Sequence, residues 1–240
     1  MYRVAFVAAL EREVRPLTKE WGVRAREIDG RRFRFFEQDD LVLVCGGIGA
    51  EAARRAAAAV IAAYEPKVVY SVGFAGGLDS ALKVADVMQP RRVVNAGDGS
   101  SMNLDRGEGT LVSFGSVASP AQKAKLRDSF GAQAVDMEAA AVGRAAESRG
   151  IGFAVVKVIS DEFDFSLPSM ERFVDSEGRF LQGRFAWFTA LRPWLWPQVI
   201  RLARNSSRAS FALCHSLQTM IDATASPSDV HPVETSTAHE

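Results

Sequence analysis

Acidic residues follow three apolar segments of the chain, at the points where those segments end. Glu13 comes shortly after the first segment, Asp136 and Glu138 follow the second, and Ser160 and Asp161 follow the third. Each acid has an ordinary alternative, because Asp136 or Asp161 could cap a helix and Glu13 could lie in a solvated first turn. Ligands of α/β proteins gather at the carboxyl ends of strands, so three such carboxylates together predict one shared cleft.

Carboxylates are the groups best placed to do proton chemistry here. Residues 1–214 contain no histidine, which disfavours Ser–His–Asp and Cys–His nucleophiles and His-rich zinc sites. Two cysteines, Cys45 and Cys214, are too few for a disulfide framework or a cysteine metal cluster. We therefore expect an enzyme of this sequence to use carboxylates and a lysine, without a metal.

Two glycine-rich segments follow apolar runs. Residues 46–49, Gly-Gly-Ile-Gly, open a predicted helix, so their N–H groups could meet an anion or a sugar hydroxyl; a tight turn is the equal alternative. Residues 73–78, Gly-Phe-Ala-Gly-Gly-Leu, are more specific. Their glycines allow close approach of backbone to a ligand, and Phe74 adds an aromatic ring at that point.

The elements that would carry these residues alternate along the first 160 positions. Apolar runs predict strands at residues 4–9, 32–36, 41–45, 68–72, 84–94, 132–135 and 153–159. Helices are predicted from about residue 11 and at residues 50–64, 120–130 and 137–149. Uninterrupted apolar strands alternating with helices indicate a sheet covered on both faces. We predict the α/β class: a three-layer α/β/α sandwich with a central, largely parallel mixed sheet.

The composition excludes several classes of protein. The 240 residues include 29 basic and 29 acidic side chains, a balance that disfavours nucleic-acid binding by phosphate neutralisation. No apolar run reaches the roughly 18–20 residues of a membrane-spanning helix, and the N-terminus resembles a strand rather than a signal peptide. We expect a cytoplasmic protein with one domain over residues 1–225 and a disordered tail at 226–240.

Five motifs occur in order over about residues 1–165, at positions 8–14, 73–78, 82–87, 135–139 and 159–161. They resemble the nucleoside phosphorylase/nucleosidase superfamily, and among its branches most of all the methylthioadenosine/S-adenosylhomocysteine nucleosidases. The resemblance implies a three-layer α/β fold, cleavage of a nucleoside N-glycosidic bond, and a homo-oligomer of two or more subunits. It implies a small-molecule nucleoside substrate and no cofactor, with phosphate as an alternative co-substrate.

The resemblance also implies a role for each matching residue. Asp161, oriented by Ser160, would protonate or hydrogen-bond purine N7. Glu138 would hold the ribose hydroxyls, and Glu13 would accept a proton from the attacking water. The other implied substrate contacts are Met137, Phe74, Ala75, Gly76, Val117 and Lys157. Glycosidic cleavage passes through an oxocarbenium-like state, which requires a negative group near the sugar and an acid at the leaving group.

Two positions depart from the nucleosidase pattern. Phe74 replaces the usual serine near the nucleophile, and Lys157 replaces the usual arginine, which keeps the charge but loses a bidentate fork. The Gly-Asp-Pro loop of hexameric phosphorylases is not found near the N-terminus. Hydrolysis and phosphorolysis therefore both stay open, with Glu13 favouring water because phosphate arrives already anionic.

The C-terminal region has a different composition. Residues 179–208 contain six arginines, no acid and three tryptophans, and resemble the hopanoid-associated phosphorylase subfamily, whose implied substrate is adenosylhopane. The motif Pro193-Trp-Leu-Trp-Pro197 is expected to break any helix. A helix over 198–221 would place arginines opposite an apolar stripe, which favours peripheral membrane contact; packing of this helix on the domain is the alternative. The competing functions are a methylthioadenosine/S-adenosylhomocysteine nucleosidase and a non-catalytic nucleoside-binding protein.

Overall fold

A computed structural model describes residues 4–165, 173, 175, 178, 181, 183–185, 188 and 192–225. Within these residues, eleven strands form one mixed sheet: β1 Val4–Ala8, β2 Gly22–Ile28, β3 Arg31–Gln38, β4 Leu41–Cys45, β5 Val68–Gly77, β6 Val87–Met88, β7 Arg92–Asn95, β8 Ser101–Asn103, β9 Thr110–Ser113, β10 Ala134–Asp136 and β11 Gly152–Asp161. The helices of the described residues include α1 Glu11–Thr18, α2 Ala50–Tyr64, α3 Pro120–Phe130, α4 Ala139–Glu147 and α5 Trp196–Ala225.

Strand β5 forms the centre of the sheet and brings the candidate residues together. It pairs in parallel with β1 on one side and with β11 on the other, and its last residues pair with β10. The carboxyl ends of β1, β5 and β11 therefore meet at one edge. The register of β11 shifts between Ile159 and Asp161, and such a bulge re-aims the side chains beside it.

Helices cover both faces of the sheet, which confirms the α/β sandwich. On one face, α2 and α4 pack on β1, β3, β4 and β5, and the buried alanines of α2 let the helix lie close to the strands. On the other face, α1 and α5 pack through Val14, Leu213 and Leu217 against Phe6 and Leu43. The predicted strands at 41–45 and 153–159 and the helices at 50–64 and 120–130 all form.

Several predicted elements were wrong in detail. The single strand expected at 84–94 is two strands, β6 and β7, with Pro90 between them, because proline cannot donate to a strand ladder. Strand β5 continues through the glycines to Gly77, whereas the sequence predicted an end near residue 72. The helix expected from residue 137 begins at Ala139, and strands β2, β8 and β9 were not predicted.

The C-terminal helix α5 also differs from expectation. A short 3₁₀ turn at Pro193–Leu195 leads directly into it, so the Pro-Trp motif precedes and starts the helix and does not break it. Pro197 lies in the first turn, where its missing N–H costs no hydrogen bond. The predicted tail at 226–240 and Trp187 lie outside the described residues.

Helix α5 packs on the domain, as the alternative interpretation predicted. Ala209, Leu213 and Leu217 are buried against the sheet, whereas the arginines of the helix are exposed: Arg201, Arg204 and Arg208. Across the described ranges, none of the helices combines the length and the apolar character that crossing a bilayer requires.

Candidate active site

One cavity opens at the carboxyl ends of β1, β5, β10 and β11. Every residue to which the resemblance assigned a catalytic or substrate-binding role lines it: Glu13, Phe74, Ala75, Gly76, Val117, Met137, Glu138, Lys157, Ser160 and Asp161. The predicted shared cleft is therefore present, while the chemical roles of these residues stay predictions. Arg12 and Lys123 also line the cavity, and the sequence interpretation had not named either of them.

Asp161 is held from both sides. The Ser160 hydroxyl donates a hydrogen bond to Oδ1 of Asp161 at 2.8 Å, which is the contact that the predicted orienting role requires. The Lys123 ammonium donates to Oδ2 at 2.5 Å and to the carbonyl of Glu162 at 2.7 Å. Both charged side chains are buried, so little water screens the pair.

Gly76 makes room for this ion pair. It lies opposite Asp161 in the ladder between β5 and β11. A methyl group at position 76 would come within 2.9 Å of Oδ2 of Asp161 and 3.3 Å of Cε of Lys123. The glycine-rich segment therefore allows a close approach, as predicted, and the groups that approach include the protein's own carboxylate and ammonium.

Glu13 is a buried carboxyl group with an unsatisfied oxygen. Its side chain follows β1 on helix α1 and is 5% exposed, and Oε2 has no hydrogen-bond partner among the described residues. A methyl group at Gly73, whose φ is +141°, would come within 2.8 Å of that oxygen. Burial, reinforced by the nearby Glu138 carboxylate, raises the pKa of Glu13 to about 7. At neutral pH such a group can accept a proton.

Glu138 is fixed by backbone N–H groups. Gly49 donates to Oε1 at 2.8 Å and Met137 donates to Oε2 at 3.2 Å. Gly49, with φ of 96°, immediately precedes α2. The sequence predicted that residues 46–49 could meet an anion, and the anion found there is the carboxylate of Glu138. Burial raises the pKa of Glu138, and the charge of Lys157 opposes that shift.

Lys157 is paired with Asp136. Its ammonium lies 2.9 Å from Oδ2 of Asp136, and that carboxylate also accepts hydrogen bonds from the Ser113 hydroxyl and the Ala139 N–H. The bond to Ala139 connects Asp136 to the first residue of α4, but the N-cap of that helix is Glu138, so the alternative interpretation of Asp136 as the N-cap was wrong. Burial alone would lower the pKa of Lys157. The carboxylates of Asp136 and Glu138 together have the larger effect, so the pKa is raised.

Helix α5 supports the backbone that carries Glu13. The Ser210 hydroxyl lies 3.2 Å from the carbonyl of Arg12 and 3.0 Å from that of Glu13, within hydrogen-bond distance of both. Pro16 has no N–H, so the Arg12 carbonyl lacks its usual partner four residues along α1. Cys214 Sγ lies 3.6 Å from the Glu13 carbonyl. The C-terminal helix thus contributes to the position of a site residue.

The amino-acid sequence matches the model of a known protein family. Residues 3–120 and 102–182 match the model of the phosphorylase superfamily, and the chain belongs to that superfamily. A 5′-methylthioadenosine/S-adenosylhomocysteine nucleosidase from Marinomonas sp. (strain MWYL1) is 34% identical over 96 residues. That alignment covers 38% of this chain and 41% of the relative's length.

The structural similarity to several solved proteins covers nearly the whole chain. The 5′-methylthioadenosine/S-adenosylhomocysteine nucleosidase and the futalosine hydrolase of Helicobacter pylori each have a TM-score of 0.68 and 18% identity, covering 92% of this chain and 98% of theirs. An Arabidopsis thaliana 5′-methylthioadenosine nucleosidase has a TM-score of 0.69 and 19% identity, covering 95% of this chain and 97% of its own. At these identities the likeness establishes the fold alone.

Proposed function

We propose that this protein is an enzyme that cleaves the N-glycosidic bond of a 5′-substituted adenosine and releases adenine. The observation that carries the proposal is the convergence of Glu13, Glu138 and Asp161 on one cavity at the carboxyl edge of the sheet. A non-catalytic nucleoside-binding protein has no need for a buried carboxyl group such as that of Glu13, whose pKa is about 7 and whose Oε2 has no hydrogen-bond partner among the described residues. Catalysis is therefore the better-supported function.

Each carboxylate has a place in the proposed reaction. Asp161, positioned by Ser160 and Lys123, acts in its protonated form: its O–H hydrogen-bonds or protonates purine N7, the base leaves with the electrons of the glycosidic bond, and the carboxylate that remains is stabilised by the Lys123 ammonium. Glu138 accepts hydrogen bonds from the ribose hydroxyls. As the bond lengthens, positive charge develops on the sugar ring, and the surrounding carboxylates stabilise it electrostatically.

Water is the nucleophile that the charge distribution favours. Phosphorolysis requires cationic or N–H groups ready to bind a phosphate dianion. The cavity's two lysines are instead paired with carboxylates: Lys123 with Asp161, and Lys157 with Asp136. Glu13 can take the proton of an attacking water, which then adds to the ribose C1′ carbon. The products under this proposal are adenine and a sugar with a free C1′ hydroxyl.

We propose adenosylhopane as the particular substrate. The support is the resemblance of the arginine- and tryptophan-rich region to the hopanoid-associated phosphorylases, together with two exposed indoles at the start of α5, Trp194 and Trp196. The methylthioadenosine/S-adenosylhomocysteine nucleosidase activity named for the Marinomonas relative is the second candidate.

The test is adenine release by the purified full chain from adenosylhopane and from methylthioadenosine, each with and without inorganic phosphate. We expect adenine in both conditions and a free sugar product, with adenosylhopane preferred. A strict requirement for phosphate, with ribose 1-phosphate as product, would overturn the assignment of water. No adenine from either substrate would reject the enzymatic proposal and leave nucleoside binding.

A further inference from the structure

The turn at residues 46–49, which we call the glycine turn, directs its four backbone N–H groups to different partners. The first two donate to carbonyls at the end of β1 and just after it. Ile48 donates to the carbonyl of Gly178 at 2.7 Å, and Gly49 donates to the Glu138 carboxylate at 2.8 Å. Two consecutive amides therefore connect a site carboxylate to a residue of the C-terminal region.

Gly178 packs directly against the glycine turn. It is buried, and its φ of +79° lies in the left-handed region that favours glycine. A methyl group at position 178 would come within 2.6 Å of the Ile48 carbonyl oxygen and 2.9 Å of the Ala52 Cβ. The nearer neighbour is backbone and cannot rotate away, so a side chain at position 178 would push the two segments apart. The hydrogen bond between Gly178 and Ile48 depends on this close approach.

An aromatic cluster holds the backbone on either side of Gly178. Phe173 is 3% exposed, and its ring packs on the rings of Phe185 and Phe188 at centroid distances of 5.3 and 5.2 Å. The Leu181 N–H donates to the Phe173 carbonyl at 2.7 Å, which closes the chain into a loop that contains Gly178. Because tilted and edge-on ring pairs at these distances are favourable, the loop presents its carbonyl to the glycine turn in a defined place.

We propose that Gly178 is a positioning residue for Glu138 and acts on it through the glycine turn. The inference rests on the proposed function, in which Glu138 accepts hydrogen bonds from the ribose hydroxyls. Ile48 lines the catalytic cavity, and its neighbour Gly49 is the donor that fixes Oε1 of Glu138. Displacement of Ile48 moves this donor, and the carboxylate then loses its orientation toward the sugar.

The base end of the cavity is held by other elements. Asp161 accepts hydrogen bonds from Ser160 on β11 and Lys123 on α3. A change at Gly178 should therefore alter the recognition of ribose and leave the recognition of the purine unchanged. A general loss of stability would affect both ends alike, so the two cases are separable.

The experiment compares nucleosides that differ only in the 2′ hydroxyl. Turnover is measured with methylthioadenosine and its 2′-deoxy analogue. Binding is measured with 7-deazaadenosine and its 2′-deoxy analogue, which lack the N7 atom that cleavage requires. A hydrogen bond to a carboxylate corresponds to roughly a 10- to 100-fold preference for the ribose form. In Gly178→Ala this preference is expected to fall at least about fivefold relative to the wild type, in kcat/KM and in Kd.

Two other glycines provide matched controls. Gly183 is exposed in the same region of the chain, and a methyl group there would meet no described atom within 4 Å. Gly150 has a φ of +64° and likewise no described neighbour within 4 Å, so Gly150→Ala reproduces the backbone strain without the close contact. Both alanine variants should keep the wild-type preference. If folded Gly178→Ala also keeps it, or if either control loses as much, Gly178 does not position Glu138.

Phe173→Leu is the second variant, used if Gly178→Ala fails to fold. It shrinks the aromatic cluster without adding a group beside the glycine turn, and it is expected to lower the preference for ribose by a smaller factor. An unchanged preference in folded Phe173→Leu would then overturn the inference. A wild-type protein that releases no adenine would reject the proposed reaction, whereas the ratio of the two Kd values would still test the role of Gly178.

Discussion

The Lys123 ammonium lies 2.5 Å from Oδ2 of Asp161, and it connects helix α3 to the end of strand β11. Ser160 occupies the other oxygen of the same carboxylate, so the orientation of Asp161 is set by two neighbours rather than one. A carboxyl group fixed in this way loses little freedom when a purine binds, and once protonated it can donate its proton at a defined atom.

Replacing Asp161 by asparagine should abolish most of the activity. The amide cannot deliver a proton to N7, and removal of a general acid typically costs about 10²–10⁴-fold in rate. Adenine release from methylthioadenosine measures the loss, and the melting temperature shows whether the variant is folded. The exposed Asp164→Asn, three residues along, is the control and should retain full activity. Near-normal turnover by folded Asp161→Asn would rule out the acid role.

Loss of the Lys123 ammonium should destabilise the protein. Lys123→Met leaves the buried Asp161 carboxylate without its ion-pair partner, and breaking a buried pair from one side costs about 3–5 kcal/mol. Urea denaturation measures the free energy of unfolding. Lys125→Met, which removes an exposed ammonium from the same helix, should change it by less than about 0.5 kcal/mol. Equal stability of the two variants would mean that the pair contributes nothing in solution.

Gly76 and Gly77 should respond differently to alanine. At position 76 a methyl group would meet Asp161 Oδ2 at 2.9 Å and must displace it, whereas at position 77 its nearest neighbour would be the Asp161 carbonyl at 3.4 Å. A displacement of about 1 Å can cost on the order of 100-fold in rate, so Gly76→Ala is expected to lose that much kcat. Gly77→Ala should stay within a few-fold of the wild type. Similar kcat values would show that Asp161 has room to move.

The pKa of Glu13 predicts two pH dependences with opposite signs. As a base, Glu13 must be ionised, so kcat/KM should rise with pH and level off above about 7. Folding raises its pKa from the ordinary 4.5 to about 7, chiefly through burial. Its contribution to stability is therefore complete below about pH 4.5 and is lost as pH rises through about 7.

Glu13→Gln separates these effects. The variant should lose activity. The difference between its free energy of unfolding and that of the wild type should shift in favour of the variant by up to about 3 kcal/mol from pH 4 to pH 8, because each pKa unit corresponds to about 1.4 kcal/mol. Glu147→Gln, at an exposed position, should track the wild type throughout. Parallel stability curves for Glu13→Gln and the wild type would contradict the buried, raised-pKa state of this carboxyl group.

Peripheral membrane contact stays a prediction, and the packing of α5 limits which side chains could take part in it. The apolar stripe of α5 packs against the domain, so only exposed side chains can contact lipid. These are Trp194 and Trp196, which are 70% and 51% exposed, and the arginines of α5. Each arginine near an anionic surface contributes about 1 kcal/mol, and salt screens it. The full chain should sediment with anionic vesicles at low salt and not at high salt. Trp194→Ala with Trp196→Ala should weaken binding; sedimentation indifferent to salt and indoles would count against membrane contact.

The sequence predicted the acidic residues of the site because of where they lie relative to strands. Glu13, Glu138 and Asp161 each follow an apolar run, and strand ends in one sheet converge whatever the details of the connections. Lys123 was missed because a lysine in a charged helical segment is usually solvated. Its spacing from the buried Leu126, three residues on, is the signal that could have indicated an inward-facing position.

The missed strands have a different physical cause. Strand β2 is an exposed partner of β3 whose residues are mostly charged or small, so it shows no apolar alternation and depends on its neighbour for pairing. The extension of β5 to Gly77 was missed because glycine weakens isolated strands. There the ladder with β11 supplies the hydrogen bonds, and the side chains of Asp161 and Lys123 fill the space that a Cβ would take.

The hydroxyl of Ser210 has a consequence for the evolution of specificity in this chain. Pro16 leaves α1 incomplete, and Ser210 on the last helix completes it, so that helix cannot be exchanged as an independent specificity module. A graft from a relative that lacks a donor at this position would disturb the first helix of the domain, and with it the proposed base. A change in the last helix would therefore act on the site as well.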